Sequence, residues 1–245
     1  MRKIFFNINI KVREEGFTLL EVIMALGISM LIITAIYASV NMAQRSSTSV
    51  TRKVITQQDV RAALDIMAME IRMASLNPKP PEMGSTWSTI PYGASLSLTT
   101  APSVSNKGIQ IAGANQIHVS MDLNSDGKIG NVTKDDGSIV VVSNEHILYT
   151  YRAANNAIYR NVSNGGNQPI LGGSGDAETK VINDGSTPLL QYFDRDGNPA
   201  TSIPDIRRIR ITIIAQTKSS DMLSGKVRII PYTTDVLVKN HVLSP

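Results

Sequence analysis

The chain has 245 residues, of which 42% are hydrophobic, 18% are charged and 5% are aromatic, and it contains no cysteine. This is the composition of a folded protein, and it excludes disulfides, thiolate metal sites and cysteine nucleophiles. The formal charge is +4, and half of it lies in the first sixteen residues. So small a remaining charge, with so few aromatic residues, argues against nucleic acid as a partner.

Residues 17–40, FTLLEVIMALGISMLIITAIYASV, form an apolar run with one charge and no proline. At about 1.5 Å per residue, a helix over this run would cross the hydrocarbon layer of a bilayer, which is roughly 30 Å thick. A cleaved signal peptide and a plain membrane anchor are the two ordinary interpretations. The run is too long for the apolar core of a signal peptide, and no small-x-small cleavage site follows it.

The carboxylate of Glu21 argues against a plain anchor. A charge at the centre of a membrane helix costs roughly 2.5–3.5 kcal/mol on insertion scales, and no cationic side chain lies within one helical turn of Glu21. Cleavage between Gly16 and Phe17 would create a free α-amino group four residues before this carboxylate. The amine is protonated near neutral pH, so we expect it to pair with the Glu21 of a neighbouring copy.

The residues EEG followed by FTLLEVIMAL closely resemble the type IV prepilin motif. That motif has a glycine, an N-methylated phenylalanine and a glutamate at the fifth mature position, which are the places of Gly16, Phe17 and Glu21 here. The resemblance implies that a prepilin peptidase cleaves after Gly16 and methylates Phe17. It also implies a single-pass helix held in inner-membrane lipid and later in a fibre, with the head in the periplasm.

Major pilins often carry a proline where this chain has Ala38, which favours a minor subunit. Residues 67–78, 189–200 and 236–243 resemble PilW-like minor pilins and the J-type pseudopilin of type II secretion. The resemblance implies a subunit that primes or caps a type IV pilus or a secretion pseudopilus. Its implied partners are other minor pilins or pseudopilins, a major pilin, the peptidase and the inner-membrane assembly platform. The choice between pilus and pseudopilus stays open.

The helical pattern continues through residues 41–76, which contain neither glycine nor proline. One face collects apolar residues at steps of three and four, and we expect this face to pack on a sheet. Charged residues, Glu70 among them, fall mostly elsewhere, and Asn77-Pro78 predicts the end of the helix. The residues of the predicted buried face are Val60, Leu64, Met67, Ile71 and Ala74.

Beyond residue 81 the sequence predicts short strands between turn signals, with alternation typical of an antiparallel sheet. The glycine-rich segment 163–188 is predicted to be a long surface loop. The fold class is therefore α+β, with a long amino-terminal helix on an antiparallel head. The predicted domains are a leader (1–16), a transmembrane helix (17–40), an amphipathic helix (41–76) and the head (77–245). The predicted strands are 94–100, 116–123, 138–143, 147–153, 157–162, 189–194, 206–217 and 226–240.

One loop carries a candidate cation site. Asp122, Asn124, Asp126 and Gly127 reproduce the start of a calcium loop, D-x-N-x-D-G, and Lys128 is placed to offer its backbone carbonyl. A polar turn between strands is the alternative interpretation. No cofactor is certain, and calcium is the one candidate.

The rest of the loop does not match an EF-hand, because Thr133 occupies the twelfth position, where an EF-hand has a glutamate. Asp135 or Asp136 is the candidate replacement. The sequence contains no HExxH, GxSxG or P-loop motif, which favours a protein that is not an enzyme. The alternative function is a binding module at a fibre tip, for adhesion or DNA capture, that depends on calcium.

Overall fold

The computed structural model describes residues 16–78, 85–93, 98–133, 139–141, 143–162, 165–173, 178–218, 220 and 225–242. The chain divides into two compact units, Met1–Thr48 and Ser49–Pro245. The domain boundaries expected from the sequence stay predictions.

The long helix α1 spans Leu19–Arg72 and contains no proline. It ends in a turn at residues 73–75, where Ser75 adopts a left-handed φ of 64°. The N–H of Ser75 donates to the carbonyl oxygen of Ser120, at 2.9 Å. The helix is therefore slightly shorter than the expected 17–76, because this N–H bonds to a strand instead of to the preceding helical turn.

The head is built of short strands, all paired antiparallel in the described part of the chain, as expected for the α+β class. Two short helices accompany them, α2 (Ser85–Ser88) and α3 (Lys239–Val242). The strands are β1 (Ile109–Gly113), β2 (Gln116–Ser120), β3 (Asn131–Thr133), β4 (Ile139–Val141), β5 (His146–Arg152), β6 (Ala157–Val162), β7 (Asn167–Gly172), β8 (Thr179–Val181), β9 (Leu190–Phe193), β10 (Arg208–Thr217) and β11 (Ile229–Leu237).

The strands form three sheets. A five-stranded sheet has the order β1-β2-β5-β6-β7, and a four-stranded sheet has the order β11-β10-β8 with β9 also paired to β10. Strands β3 and β4 form a separate hairpin. Along β10 buried and half-buried residues alternate strictly, which is the period-two pattern of a strand with one covered face.

The main core joins the second half of α1 to the two larger sheets. All five residues of the predicted helical face are buried in this core, so the prediction from periodicity is confirmed. A second, smaller cluster consists of Trp87, Ile90, Leu98 and Ile129, with Ile111 of β1 packed against it. We call this group the outer cluster.

An ionic network ties α1 to the five-stranded sheet. Glu70 is buried, which corrects the expectation that it lies off the packed face. Its carboxylate accepts two bonds from Arg160 of β6, at 2.6 and 3.0 Å, and one from the hydroxyl of Tyr149 on β5. Burial, followed by the bond to Glu70, raises the pKa of Tyr149 well above its ordinary value, so the phenol stays a donor.

The expectation of a loop over 163–188 is wrong in part, because β7 and β8 lie within it. Strand β7 pairs with β6 through a register shift beside Pro169, and proline is tolerated there because β7 is an edge strand. The predicted strand 94–100 is also not seen: its described part, 98–100, is not in a strand, and 94–97 lie outside the described residues.

Candidate functional site

The first candidate site is the start of α1. Thr18 precedes the helix, and its backbone N–H and hydroxyl both donate to Oε2 of Glu21, each at 2.9 Å. The N–H of Glu21 lies 3.3 Å from the Thr18 hydroxyl oxygen. This is a capping box, in which a threonine and a glutamate three residues later satisfy each other's backbone donors. The motif T-x-x-E was readable in the sequence and was missed.

Past the cap, the unit Met1–Thr48 leaves its apolar surface uncovered. The side chain of Phe17 is 89% exposed, and nearly every described residue of this unit is exposed. Helix α1 is long and apolar enough to cross a membrane, and its most apolar stretch is entirely unburied. Such a surface fits anchoring in a membrane, because contact between apolar side chains and water is unfavourable.

The second candidate site is the loop after β2. Asp122 is buried, and its two carboxylate oxygens accept the N–H groups of Ser125, at 2.7 Å, and Gly127, at 2.9 Å. Gly127 adopts a φ of 79°, which glycine reaches without strain. Of the predicted ligands, Asn124, Asp126 and Lys128 are exposed, and Asp126 accepts bonds from the Asn124 amide and the Lys128 N–H.

The sequence did not reveal that Glu145 holds this loop. Glu145 is fully buried, and its carboxylate accepts N–H bonds from Leu123, Asn124 and Gly130 at 3.0–3.2 Å. Burial raises the pKa of Glu145, and the three backbone donors oppose that rise. The candidates Asp135 and Asp136 lie outside the described residues.

The loop is thus a tight turn in which the buried carboxylates of Asp122 and Glu145 already accept hydrogen bonds from backbone N–H groups. Within the described ranges, no group of three or more His, Cys, Asp or Glu side chains is placed to hold a metal ion. The second aspartate turn is built the same way, since Asp194 accepts the N–H groups of Asp196 and Asn198, each at 2.9 Å.

The three histidines, scattered in the sequence, are all buried. His118 and His146 lie on the paired strands β2 and β5, with Nε2 of one 3.2 Å from Nδ1 of the other. Burial lowers the pKa of both, and that of His146 falls to about 4. The two histidines come together through the pairing of β2 with β5, and strand pairing was not predicted from the sequence.

His241 and Ser75 resemble a nucleophile and its base, with Ser75 Oγ 2.9 Å from His241 Nδ1. However, Nε2 of His241 lies 2.9 Å from the carbonyl oxygen of Ile203. A carbonyl can only accept, so Nε2 carries the proton and Nδ1 accepts from Ser75. Ser75 Oγ also accepts the N–H of Gly108, at 3.0 Å, and both side chains are buried. The pair therefore fastens α3 to the end of α1.

In comparisons with known proteins, no curated protein and no solved structure matches the chain. A family model described as the prokaryotic N-terminal methylation motif matches residues 11–37, the segment that holds Gly16, Phe17 and Glu21. Through this segment the chain is identified as type IV prepilin-like.

Proposed function

We propose that this chain is a minor pilin or pseudopilin, a structural subunit that primes or caps a type IV pilus or a type II secretion pseudopilus. The observation that carries the proposal is the methylation motif, joined to an exposed apolar helix. The subunit is held in the inner membrane with its head in the periplasm, and then enters a fibre. It binds other minor and major subunits, the prepilin peptidase and the assembly platform, and it catalyses no reaction.

In this mechanism Glu21 has two partners. Oε2 is held by Thr18 of the same chain, whereas Oε1 makes no bond to any other described residue. Cleavage after Gly16 frees the amine of Phe17, and a neighbouring subunit can present that amine to Oε1. The pairing neutralises two charges inside an apolar layer, where an isolated charge is costly.

Maturation is tested with Gly16→Ala in cells that express the prepilin peptidase. We expect the variant to keep its leader, so that it migrates at the precursor size and yields no methylated Phe17 peptide in mass spectrometry. Gly27→Ala is the matched control, because the Gly27 position has free space around it. If Gly16→Ala were cleaved at the same rate as this control, the proposal would be wrong.

The role of Glu21 is tested with Glu21→Gln beside Glu21→Ala. Glutamine can form a capping box but carries no charge, so it separates the cap from pairing with an amine. We expect both variants to be cleaved and both to enter fibres poorly, as measured by the amount of subunit in sheared or cross-linked fibres. Normal incorporation of Glu21→Gln would show that capping alone is needed.

A second candidate is a binding module at a fibre tip, for adhesion or DNA capture, that depends on calcium. It is favoured by the loop after β2, where Asn124 and Asp126 are exposed on a turn that Asp122 and Glu145 hold through bonds from backbone N–H groups. The backbone carbonyl of Lys128 would add a ligand.

Calorimetry of the full chain in detergent with calcium chloride tests the calcium site. We expect a Kd of about 10⁻⁴–10⁻³ M, as in extracellular calcium modules, and loss of the heat in Asp126→Ala. Asp196→Ala, in the other aspartate turn, is the control and should bind as the native chain does. Absence of calcium-dependent heat, together with no retention on immobilised DNA, would leave only the structural role.

A further inference from the structure

The two faces of the five-stranded sheet are covered differently. Ile117 and Val119 of β2 lie in the main core, so the alternate residues His118 and Ser120 point to the opposite face. His118 pairs with Ile111 of β1, and Ile111 packs against the outer cluster. The outer cluster therefore lies over the face of the sheet that carries His118.

His146 lies on this same face, because it pairs with Ser120 in the register of β2 and β5. The two imidazole rings meet edge to face, with centroids 4.4 Å apart and planes at 64°. Neither ring is exposed. Nδ1 of His118 and Nε2 of His146 have no hydrogen-bond partner among the described residues.

The proton count of the pair shows why it is sensitive to acid. Two neutral imidazoles carry two N–H groups, and one of these is used in the bond between the rings. One donor and one acceptor are therefore left buried without a partner among the described residues, which already disfavours the closed state. A third proton would add a positive charge to rings that are fully buried, where a charge is costly.

No described charge on the surrounding elements compensates for such a proton. Strand β1 and residues 85–93 have no charged side chain. The loop after β2 contributes Asp122, which is committed to backbone N–H groups, and the exposed Asp126 and Lys128. Glu145 likewise accepts three N–H bonds, and none of the described bonds joins it to either ring.

We propose that the His118–His146 pair is an acid-sensitive lock, which holds the outer cluster and the loop 122–130 on the sheet near neutral pH and releases them when a ring is protonated. The loop is joined to the outer cluster, because Ile129 belongs to that cluster and its N–H donates to Thr89 Oγ1, at 2.8 Å. The proposal does not depend on the assembly function.

The pH range follows from the histidine pKa values. In an open state the rings have the ordinary pKa of 6.5, while in the closed state that of His146 is about 4 and that of His118 is also well below 6.5, because both rings are buried. Between these values the open state binds more protons, so opening becomes more favourable as the pH falls. For each pH unit of decrease in this range, the equilibrium constant for opening rises by up to about tenfold per ring.

Trp87 is the only tryptophan of the chain and lies in the outer cluster, so its fluorescence reports this layer alone. We would titrate the full chain in detergent from pH 7.5 to pH 4 and record Trp87 emission with far-ultraviolet circular dichroism. Hydrogen exchange of residues 109–130 would be measured in parallel. We expect a red shift of Trp87 and faster exchange of 121–130 between pH 6.5 and 4, with unchanged helical dichroism.

The double variant H118L/H146L should lose this transition, and the single variant His118→Gln should move it to lower pH. If the double variant does not fold at pH 7.5, the single variant provides the test. His241→Gln, at the other buried histidine, is the control and should keep the transition. The proposal is overturned if emission and dichroism change together, if no red shift occurs above pH 4, or if the variants without the ring pair titrate like the native chain.

Discussion

The ionic network at Glu70 allows a quantitative test of how α1 is fixed to the head. In Glu70→Ala the guanidinium of Arg160 loses both of its short bonds, and its side chain is only 19% exposed. Removing one partner of a buried ion pair costs roughly 3–5 kcal/mol, and partial access to water places this case at the lower end. We therefore expect a loss of about 3 kcal/mol in the free energy of unfolding.

Asp235→Ala is the matched control, because Asp235 also pairs with arginine, through three hydrogen bonds, but on an exposed face. It pairs with Arg208 and Arg210 at 2.8 Å, and its side chain is 38% exposed. Such surface pairs contribute about 1 kcal/mol or less. The contrast between the two variants thus measures the effect of burial together with the loss of the bond from the buried Tyr149 hydroxyl.

Thermal unfolding of the full chain in detergent, followed by circular dichroism, measures both variants. For a domain of this size about 1 kcal/mol corresponds to roughly 2–4 °C, so Glu70→Ala should lower Tm by about 6–12 °C and Asp235→Ala by no more than about 4 °C. The double variant E70L/R160M should recover part of the loss, since an apolar pair needs no counter-charge, while the buried Tyr149 hydroxyl still lacks its acceptor. Equal losses for Glu70→Ala and Asp235→Ala would refute the reasoning.

Three further substitutions test other parts of the head. Gly172→Ala should lower the free energy of unfolding by about 2 kcal/mol or more, because Gly172 has a φ of 76° and a Cβ there would overlap the carbonyl oxygen of Asn156. Gly185→Ala is its control and should leave Tm unchanged, because the Gly185 position has open space around it. Asn183→Leu should lower the free energy of unfolding, measured with denaturant, by about 2–3 kcal/mol, because the buried side-chain amide donates to two carbonyl oxygens and accepts one backbone N–H. His241→Leu removes the bonds to Ser75 and to the carbonyl of Ile203, so α3 should be cleaved faster by a protease. The protection of α1 against the same protease should not change.

Periodicity predicted those parts of the fold that local sequence controls. The step of three and four along α1 identified the buried face, and the strand expected at 157–162 coincides with β6. Strand β7 was missed because its residues, NQPILG, have little strand propensity, and it forms through pairing with β6. Strand propensity depends on the neighbouring strands in this way more than helix propensity depends on its surroundings.

The same distinction, between features set by local sequence and features set by the fold, applies to the candidate sites. The motif at Gly16 and Glu21 is contiguous, so the sequence alone was enough to find it. The loop after β2 was found at Asp122, whereas Glu145 was missed because it lies 23 positions further along the chain and reaches the loop only through the pairing of β2 with β5. Glu70 follows Met67 by three residues, which places it on the buried side, yet only the fold supplies its partner Arg160.

The capping box changes what Glu21 would contribute to the assembly proposed above. A carboxylate without a partner would gain the full energy of pairing when a neighbouring amine arrives, but Glu21 already accepts two bonds from Thr18 before any neighbour is present. In the proposed assembly the gain from pairing would therefore be the difference between two satisfied states, and it would be smaller than the cost of a bare charge in lipid suggests. The cap also fixes the carboxylate in one orientation with Oε1 left over, so less side-chain freedom remains to be lost on pairing. Thr18→Val should accordingly weaken incorporation into fibres even though Glu21 is intact, and normal incorporation of that variant would show that this orientation is unimportant.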